Sequence, residues 1–208
     1  MLLAVLLLSA VAAVPMKSAP RPLILAFGDS LTAGYNLDRG LGFAPQLQAA
    51  LRRHGIAATV ADGGVTGDTT SGGRARLGWT LDGLPRKPDL VIIEFGANDM
   101  LRGIDPAITR ANLNAMLAEL SRRHLRVLVA GMRAAPNLGP AYRARFDAIF
   151  SELARAHGAS LYPFFMDGVV GRAEMQQADG MHPTFAGVKR IVTGILPRVL
   201  DALGGKQP

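Results

Sequence analysis

The sequence predicts an α/β protein: a parallel sheet of about five strands, covered by helices on both faces. Three observations predict it. Strand-like and helix-like segments alternate five times between residues 23 and 203. The strand-like segments are continuous apolar runs rather than alternating ones, so both of their faces should be covered, as in parallel sheets. Polar, glycine-rich loops follow the strands, which is where such sheets place their ligands.

Each element has its own justification. LILAF, residues 23–27, is the first strand. FAPQLQAALRRH, 43–54, has helical apolar spacing and stops at Gly55, a residue suited to a helix end. AATVA, 57–61, is a short strand leading into a glycine-rich loop from Asp62 to Gly73, and a helix is expected between Ser71 and Leu81. Pro85 and Pro88 then break the chain. DLVIIEFG, 89–96, is the clearest strand, its apolar run interrupted only by Glu94. Pro106 to His124 reads as a long helix, LRVLVAGM (125–132) as the next strand, and Tyr142 to His157 as a helix that stops at Gly158. ASLYPF, 159–164, is a weaker strand, and Pro183 to Leu203 is a last helix with proline suitably in its first turn.

Ahead of this stands MLLAVLLLSAVAAV, residues 1–14, apolar except for Ser9. It is too short for a comfortable membrane span and has the length of a signal-peptide core. Small residues follow, with Ala12 or Ala19 able to precede a cleavage point. The expectation is a signal peptide or apolar leader over 1–20, a single domain over 21–208, and export to the periplasm or beyond. The alternative, a first buried strand or helix, fits less well, because the segment has no polar face.

Composition narrows the chemistry. The chain has 208 residues and no cysteine, which excludes thiol catalysis, disulfides and cysteine-ligated zinc. Lys and Arg number 23 against 16 Asp and Glu, a formal net charge of +7. The basic residues are scattered, with pairs such as Arg52-Arg53 and Arg122-Arg123 near expected helix ends, so a solvated basic surface is the preferred reading and no nucleic-acid partner is expected. There is no G-x-x-x-x-G-K-[ST], no G-x-G-x-x-G and no H-E-x-x-H, so neither metal nor nucleotide cofactor is expected.

Four loops carry candidate chemistry: Gly28-Asp29-Ser30-Leu31, Gly63 to Asp68, Gly96-Ala97-Asn98-Asp99, and Asp179-Gly180-Met181-His182. Singly, each is ordinary turn chemistry. Together they offer a nucleophile, a base, its orienting acid and oxyanion donors. Serine needs a neighbouring base to lose its proton. Of the four histidines, His54, His124 and His157 fall at expected helix ends, where a cation or cap explains them. His182 alone lies in a loop, three residues after Asp179, which could hold the imidazole in one tautomer. The competing account of Asp179 is an acid placed before a helix. The backbone N–H groups of Ser30 and Gly67 and the Asn98 amide would supply three oxyanion donors. Asp29 and Asp99 are expected to support loop geometry. The strained elbow G-x-S-x-G does not fit, since Thr32 stands where its second glycine belongs.

With these blocks in view, the chain resembles the GDSL, or SGNH, hydrolase family. GDSLTAGY, GDTTSGGRARL, FGANDMLRG and DGMHPTFAG occur in that family's order over about Ile24 to Phe185, and resemble its bacterial arylesterase, thioesterase I and lysophospholipase branch. The resemblance implies a flavodoxin-like three-layer α/β/α fold. It implies hydrolysis of esters or thioesters through an acyl-serine, with no cofactor. Its Ser, Gly, Asn and His map onto Ser30, Gly67, Asn98 and His182, with Asp179 in the D-x-x-H element. MRAAPNLGPAY, 132–142, resembles the loop that covers the acyl chain in the thioesterase branch; a plain surface connection is the alternative. Met132, Pro136 and Tyr142 from it, with Met100 and Leu101, are the expected substrate-binding residues. The partners implied are a small ester or thioester and transient lipid contact. Two other functions compete. A carbohydrate O-deacetylase of the same family would want sugar-stacking aromatics, yet Trp79 is the single tryptophan. A catalytically idle lipid- or nucleic-acid-binding protein would leave the serine, histidine and aspartate without a use.

Overall fold

The computed structural model describes residues 21–204; the expected leader over 1–20 lies outside the described residues. β1 (Leu23–Gly28), β2 (Thr59–Gly64), β3 (Leu90–Glu94), β4 (Val127–Ala130) and β5 (Ser160–Tyr162) form one parallel sheet in the order β2-β1-β3-β4-β5. The helices are α1 (Ser30–Ala33), α2 (Phe43–Arg53), α3 (Thr70–Asp82), α4 (Ala97–Leu101), α5 (Pro106–Arg122), α6 (Gly139–Ala156) and α7 (Phe185–Gly204). α2 packs with α7, and α3, α5 and α6 pack in a row on the other side of the sheet. This is the three-layer α/β/α arrangement.

The three central strands β1, β3 and β4 are buried along their whole length, as their unbroken apolar runs require. Each fully buried Ile or Leu in them stabilises the fold by about 1.5–3 kcal/mol relative to exposure. β2, at the sheet edge, is only partly buried, with Val60 and Gly63 its buried positions. Phe27 and Phe95, at the ends of β1 and β3, meet edge to face with centroids 5.3 Å apart.

Several element boundaries move from their sequence-based places, each for a local reason. β2 runs on to Gly64, through residues read as loop, because its backbone pairs with β1 as far as Gly28. The last helix starts at Phe185 rather than Pro183, since Pro183 is held in an antiparallel bridge to Gln176. The segment 132–142 is not one long loop: Pro136–Leu138 form a 3₁₀ turn and α6 begins at Gly139. α1 and α4 were not foreseen. The three helix-end histidines behave as expected: His54 and His157 cap α2 and α6, and His124 follows the end of α5.

The sheet order fixes where a site can form. From β1 the chain goes to β2 on one side, then returns to β3 on the other. The crevice between the carboxyl ends of β1 and β3 is therefore a topological switch point. Gly28 and Glu94, last residues of those strands, sit opposite each other in register. Gly28 must be glycine, because a Cβ there would lie 2.2 Å from Thr32 Oγ1 and 2.6 Å from the Glu94 backbone oxygen.

Candidate active site

Ser30 is the first residue of α1, directly after β1. Asp29 caps this short helix, its Oδ1 accepting the Leu31 N–H at 2.9 Å. Ser30 is 6% exposed, so its hydroxyl shows only a small face to solvent. His182 reaches it from the loop ahead of α7: Nε2 lies 2.9 Å from Ser30 Oγ, across 152 residues of sequence. Behind the ring, His182 Nδ1 lies 2.7 Å from Asp179 Oδ2. Ser30, His182 and Asp179 thus stand in one hydrogen-bonded row. With the proton on Nδ1 donated to Asp179, Nε2 is free to accept from the serine hydroxyl.

Asp179 has two jobs in this geometry. Its Oδ1 accepts the backbone N–H groups of Met181 and His182 at 2.9 and 3.0 Å, which folds the loop, while Oδ2 holds the ring. These bonds, the His182 N–H first among them, hold its carboxyl down to about 2. The loop is tied in turn to the first block. Gln177 Nε2 donates to the Tyr35 backbone oxygen at 2.8 Å, and the Tyr35 ring lies 4.4 Å from the His182 ring.

The expected oxyanion donors gather beside Ser30. Asn98 is on α4, after the end of β3, and its Nδ2 donates to Asp29 Oδ2 at 3.1 Å, which fixes the amide and leaves its second N–H to another acceptor. Gly67 has φ +79°, a left-handed conformation open to glycine, and Arg102 donates to its carbonyl at 2.7 Å. Among the described residues, neither the Ser30 nor the Gly67 backbone N–H has a protein acceptor.

Two supports lie below. Arg76 on α3 donates to Asp68 Oδ2 (2.7 Å), to the Gly63 carbonyl (2.8 Å) and to the Gly28 carbonyl (2.9 Å), with its guanidinium 4.1 Å from the Phe27 ring centre. One planar fork therefore ties the ends of β1 and β2 to the loop that carries Gly67. Asp99, 1% exposed, accepts the Thr70 N–H at 2.8 Å and the hydroxyls of Thr70 and Thr109, so it anchors α4 to the start of α3. Asp99→Ala would strand these buried donors. We expect it to destabilise the full chain by about 3 kcal/mol, read as a lower urea midpoint at unchanged slope.

The expected substrate-binding residues divide. Leu101, at the end of α4, is 58% exposed, and Met100 beside it accepts the Ala135 N–H on its sulfur at 3.1 Å. Tyr142 donates to the Ile104 carbonyl at 2.9 Å, and Pro136 opens the 3₁₀ turn. The 132–142 segment is thus pinned to the α4 side of the site. Met132 is different. It is 4% exposed in the core and lines a separate cleft of about 260 Å³ with Arg133, Asp147 and Phe150, with none of Ser30, Asn98 or His182 on its walls. As the second residue beyond β4, it stays buried in the core, which corrects its expected place in an acyl groove. The exposed apolar residues on the site's own segments are instead Tyr35, Val65, Leu101 and Met181. Among the described residues no group of His, Asp or Glu is arranged to hold a metal ion.

Comparison with known proteins gives the family. Residues 26–190 match the model of the GDSL-like Lipase/Acylhydrolase family, which spans all four candidate loops. The chain belongs to that family. Within it, the chain is 36% identical over 187 residues to Esterase TesA of Pseudomonas aeruginosa, covering 90% of this chain and 92% of the relative. It is 39% identical over 160 residues to an arylesterase of Vibrio mimicus, covering 77% and 79%. Among solved structures, the SGNH-hydrolase family esterase AlinE4 superposes with a TM-score of 0.76 at 46% identity, over 90% of this chain and 99% of that one. The GDSL block of this family member is therefore the segment that ends β1 and begins α1.

Proposed function

We propose that the chain is a serine ester hydrolase in which Ser30 is the nucleophile, His182 the general base and acid, and Asp179 the residue that orients the ring. The observation that carries this reading is the continuous row from Asp179 through His182 to Ser30 Oγ, with bonds of 2.7 and 2.9 Å. His182 Nε2 takes the Ser30 proton as Oγ bonds to the ester carbonyl carbon. The carbonyl oxygen becomes an oxyanion held by the N–H groups of Ser30 and Gly67 and the Asn98 amide. The carbon–oxygen bond, or carbon–sulfur bond in a thioester, then breaks, and the leaving group takes the proton from His182. Water, deprotonated by His182, cleaves the acyl-serine and restores the hydroxyl.

Carboxylic esters with an apolar acyl or aryl portion suit this site best. Val65, Leu101, Met181 and Tyr35 are 38–58% exposed on the four segments that carry the chemistry, and apolar groups held in water gain by covering a substrate chain. The same side chains favour an acyl ester, acyl-thioester or lysophospholipid over an acetylated sugar, and would support brief lipid contact. The test is hydrolysis of a p-nitrophenyl ester series from acetyl to palmitoyl by the full chain. An optimum at medium acyl length is expected; turnover of acetyl alone would favour the deacetylase reading, and inactivity at every length would sink the hydrolase assignment. Export rests on the apolar run at 1–14; no helix among the described residues is long and apolar enough to cross a membrane.

A further inference from the structure

Below the candidate oxyanion hole lie two carboxyl groups that the chemistry above does not use as acids or bases. Glu94 ends β3 and Asp29 follows β1; both are 0% exposed. Glu94 Oε2 lies 3.4 Å from the Asp29 backbone nitrogen, so the two buried side chains are neighbours and each perturbs the other's charge. Glu94 Oε2 accepts the Thr32 hydroxyl at 2.8 Å and, at a long 3.4 Å, the Asp29 N–H. Glu94 Oε1 is buried and has no donor among the described residues. No lysine or arginine among the described residues makes an ion pair with either group. Arg76, which reaches the Gly28 carbonyl, spends its donors on Asp68 and on the Gly63 and Gly28 carbonyls.

Two carboxylates in contact, out of water and without a cation, cannot both stay ionised. Which one keeps the proton follows from their donors. Asp29 is stabilised as an anion by the Leu31 N–H and the Asn98 amide. Glu94 has one hydroxyl and one long N–H. Burial raises both groups, and Glu94 is raised further by the Asp29 charge beside it. A protonated Glu94 also gives its orphaned oxygen a purpose, because a neutral carboxyl has an O–H to donate.

We propose that Glu94 is a positioning residue: as a neutral carboxylic acid it donates a hydrogen bond to Asp29, and the single anion so held fixes the Asn98 amide in the oxyanion hole. The chain of contacts is Thr32 to Glu94 to Asp29 to Asn98, linking β3, β1 and α4 at the switch point. The proposal rests on the reading of Asn98 as an oxyanion donor. The groups that face the pair are Asp29 itself, Thr32 on α1, Asn98 on α4, Arg76 on α3 through the Gly28 carbonyl, and His182 across Ser30. Glu94, with its carboxyl raised, is neutral below its folded value and ionises only as pH rises through it. Raising the pH through that value therefore brings a second buried charge and breaks the bond to Asp29.

The chain has four glutamates, so the carboxyl carbons of a ¹³C-glutamate-labelled full-length protein can be followed one by one in an NMR pH titration. One is expected to keep the chemical shift of a protonated acid at neutral pH and to vanish in Glu94→Gln. Four ionised glutamates at neutral pH would overturn the proposal. Kinetics supply the second arm. Glu94→Leu removes the donor, and its kcat should fall toward that of Asn98→Ala, a loss on the order of 10²–10³, with KM little changed. Glu94→Gln keeps a neutral donor and should retain kcat about tenfold or more above Glu94→Leu, without the decline in wild-type kcat that accompanies Glu94 ionisation. Equal losses in the two Glu94 variants would reduce the residue to packing and overturn the positioning role. Because the NMR signal does not depend on turnover, an acid signal together with full activity in Asn98→Ala would reject Asn98 as a donor, and positioning with it, while leaving the Glu94–Asp29 bond standing.

Discussion

Ser30→Ala should lower kcat for any ester substrate by about 10⁶, to the level that binding and the oxyanion donors alone can provide. The expectation comes from the geometry of one atom. Ser30 Oγ is the hydroxyl held 2.9 Å from His182 Nε2, at the switch point between β1 and β3. Removing it leaves a methyl group in the same place, so the fold should not change: the side chain makes no other hydrogen bond, and α1 is held by Asp29 and by backbone bonds to the Ser30 carbonyl. The check has two parts. Turnover of the preferred p-nitrophenyl ester should vanish while circular dichroism and the unfolding midpoint stay put. A phosphonate ester should add its mass to the wild type and not to the variant. Activity retained in Ser30→Ala would show that another residue is the nucleophile.

Asp179→Asn is expected to cost about 10⁴ in kcat with little loss of stability. The substitution separates the two jobs of the residue. An asparagine Oδ1 can still accept the Met181 and His182 N–H groups, so the loop keeps its turn. The other limb now presents an N–H to His182 Nδ1, which drives the ring into the tautomer that has its proton on Nε2. That nitrogen can then no longer accept from Ser30. Asp179→Ala should match the loss in kcat and also lower the unfolding midpoint, because the turn goes too. Wild-type kcat near that of Asp179→Asn would remove Asp179 from the mechanism. The acid side of the pH profile bears on the same point. With its folded value depressed to about 2, Asp179 stays ionised as pH falls and loses its charge only near that value. An acid limb at milder pH therefore belongs to another group.

How much of this was legible in the sequence depends on the range of the interaction concerned. β1, β3 and β4 announced themselves, because strands covered on both faces must be apolar throughout. The four loops were legible as a set, since each alone is ordinary turn chemistry and only together do they offer a nucleophile, a base, an acid and oxyanion donors. α1 and α4 were not. At four and five residues they are too short to show a period, and they exist because Asp29 and the chain after Gly96 close a turn there. Met132 stands where the expected strand 125–132 meets the 132–142 loop, and the core reaches two residues beyond β4 and takes it in. Glu94 read as a blemish in an apolar strand, and Arg76 as one more surface cation. Only the strand register, which pairs Glu94 with Gly28, and the sheet order, which brings β1 and β2 within reach of α3, give either residue its place. Tyr35 and Gln177 lie 142 residues apart, and no local pattern joins them.

The spacing of Asp179 and His182 has a further consequence. A three-group relay ordinarily demands two long-range alignments, one for each link. Here acid and base share a single tight turn, so their mutual aim is a matter of local geometry. Only one link, from His182 to Ser30, has to be solved by the tertiary structure. The C-terminal segment therefore arrives as a finished cartridge, and the rest of the molecule needs merely to seat it. Evolution can rebuild the walls around such a site, changing what it accepts, without ever retuning the part that moves the proton.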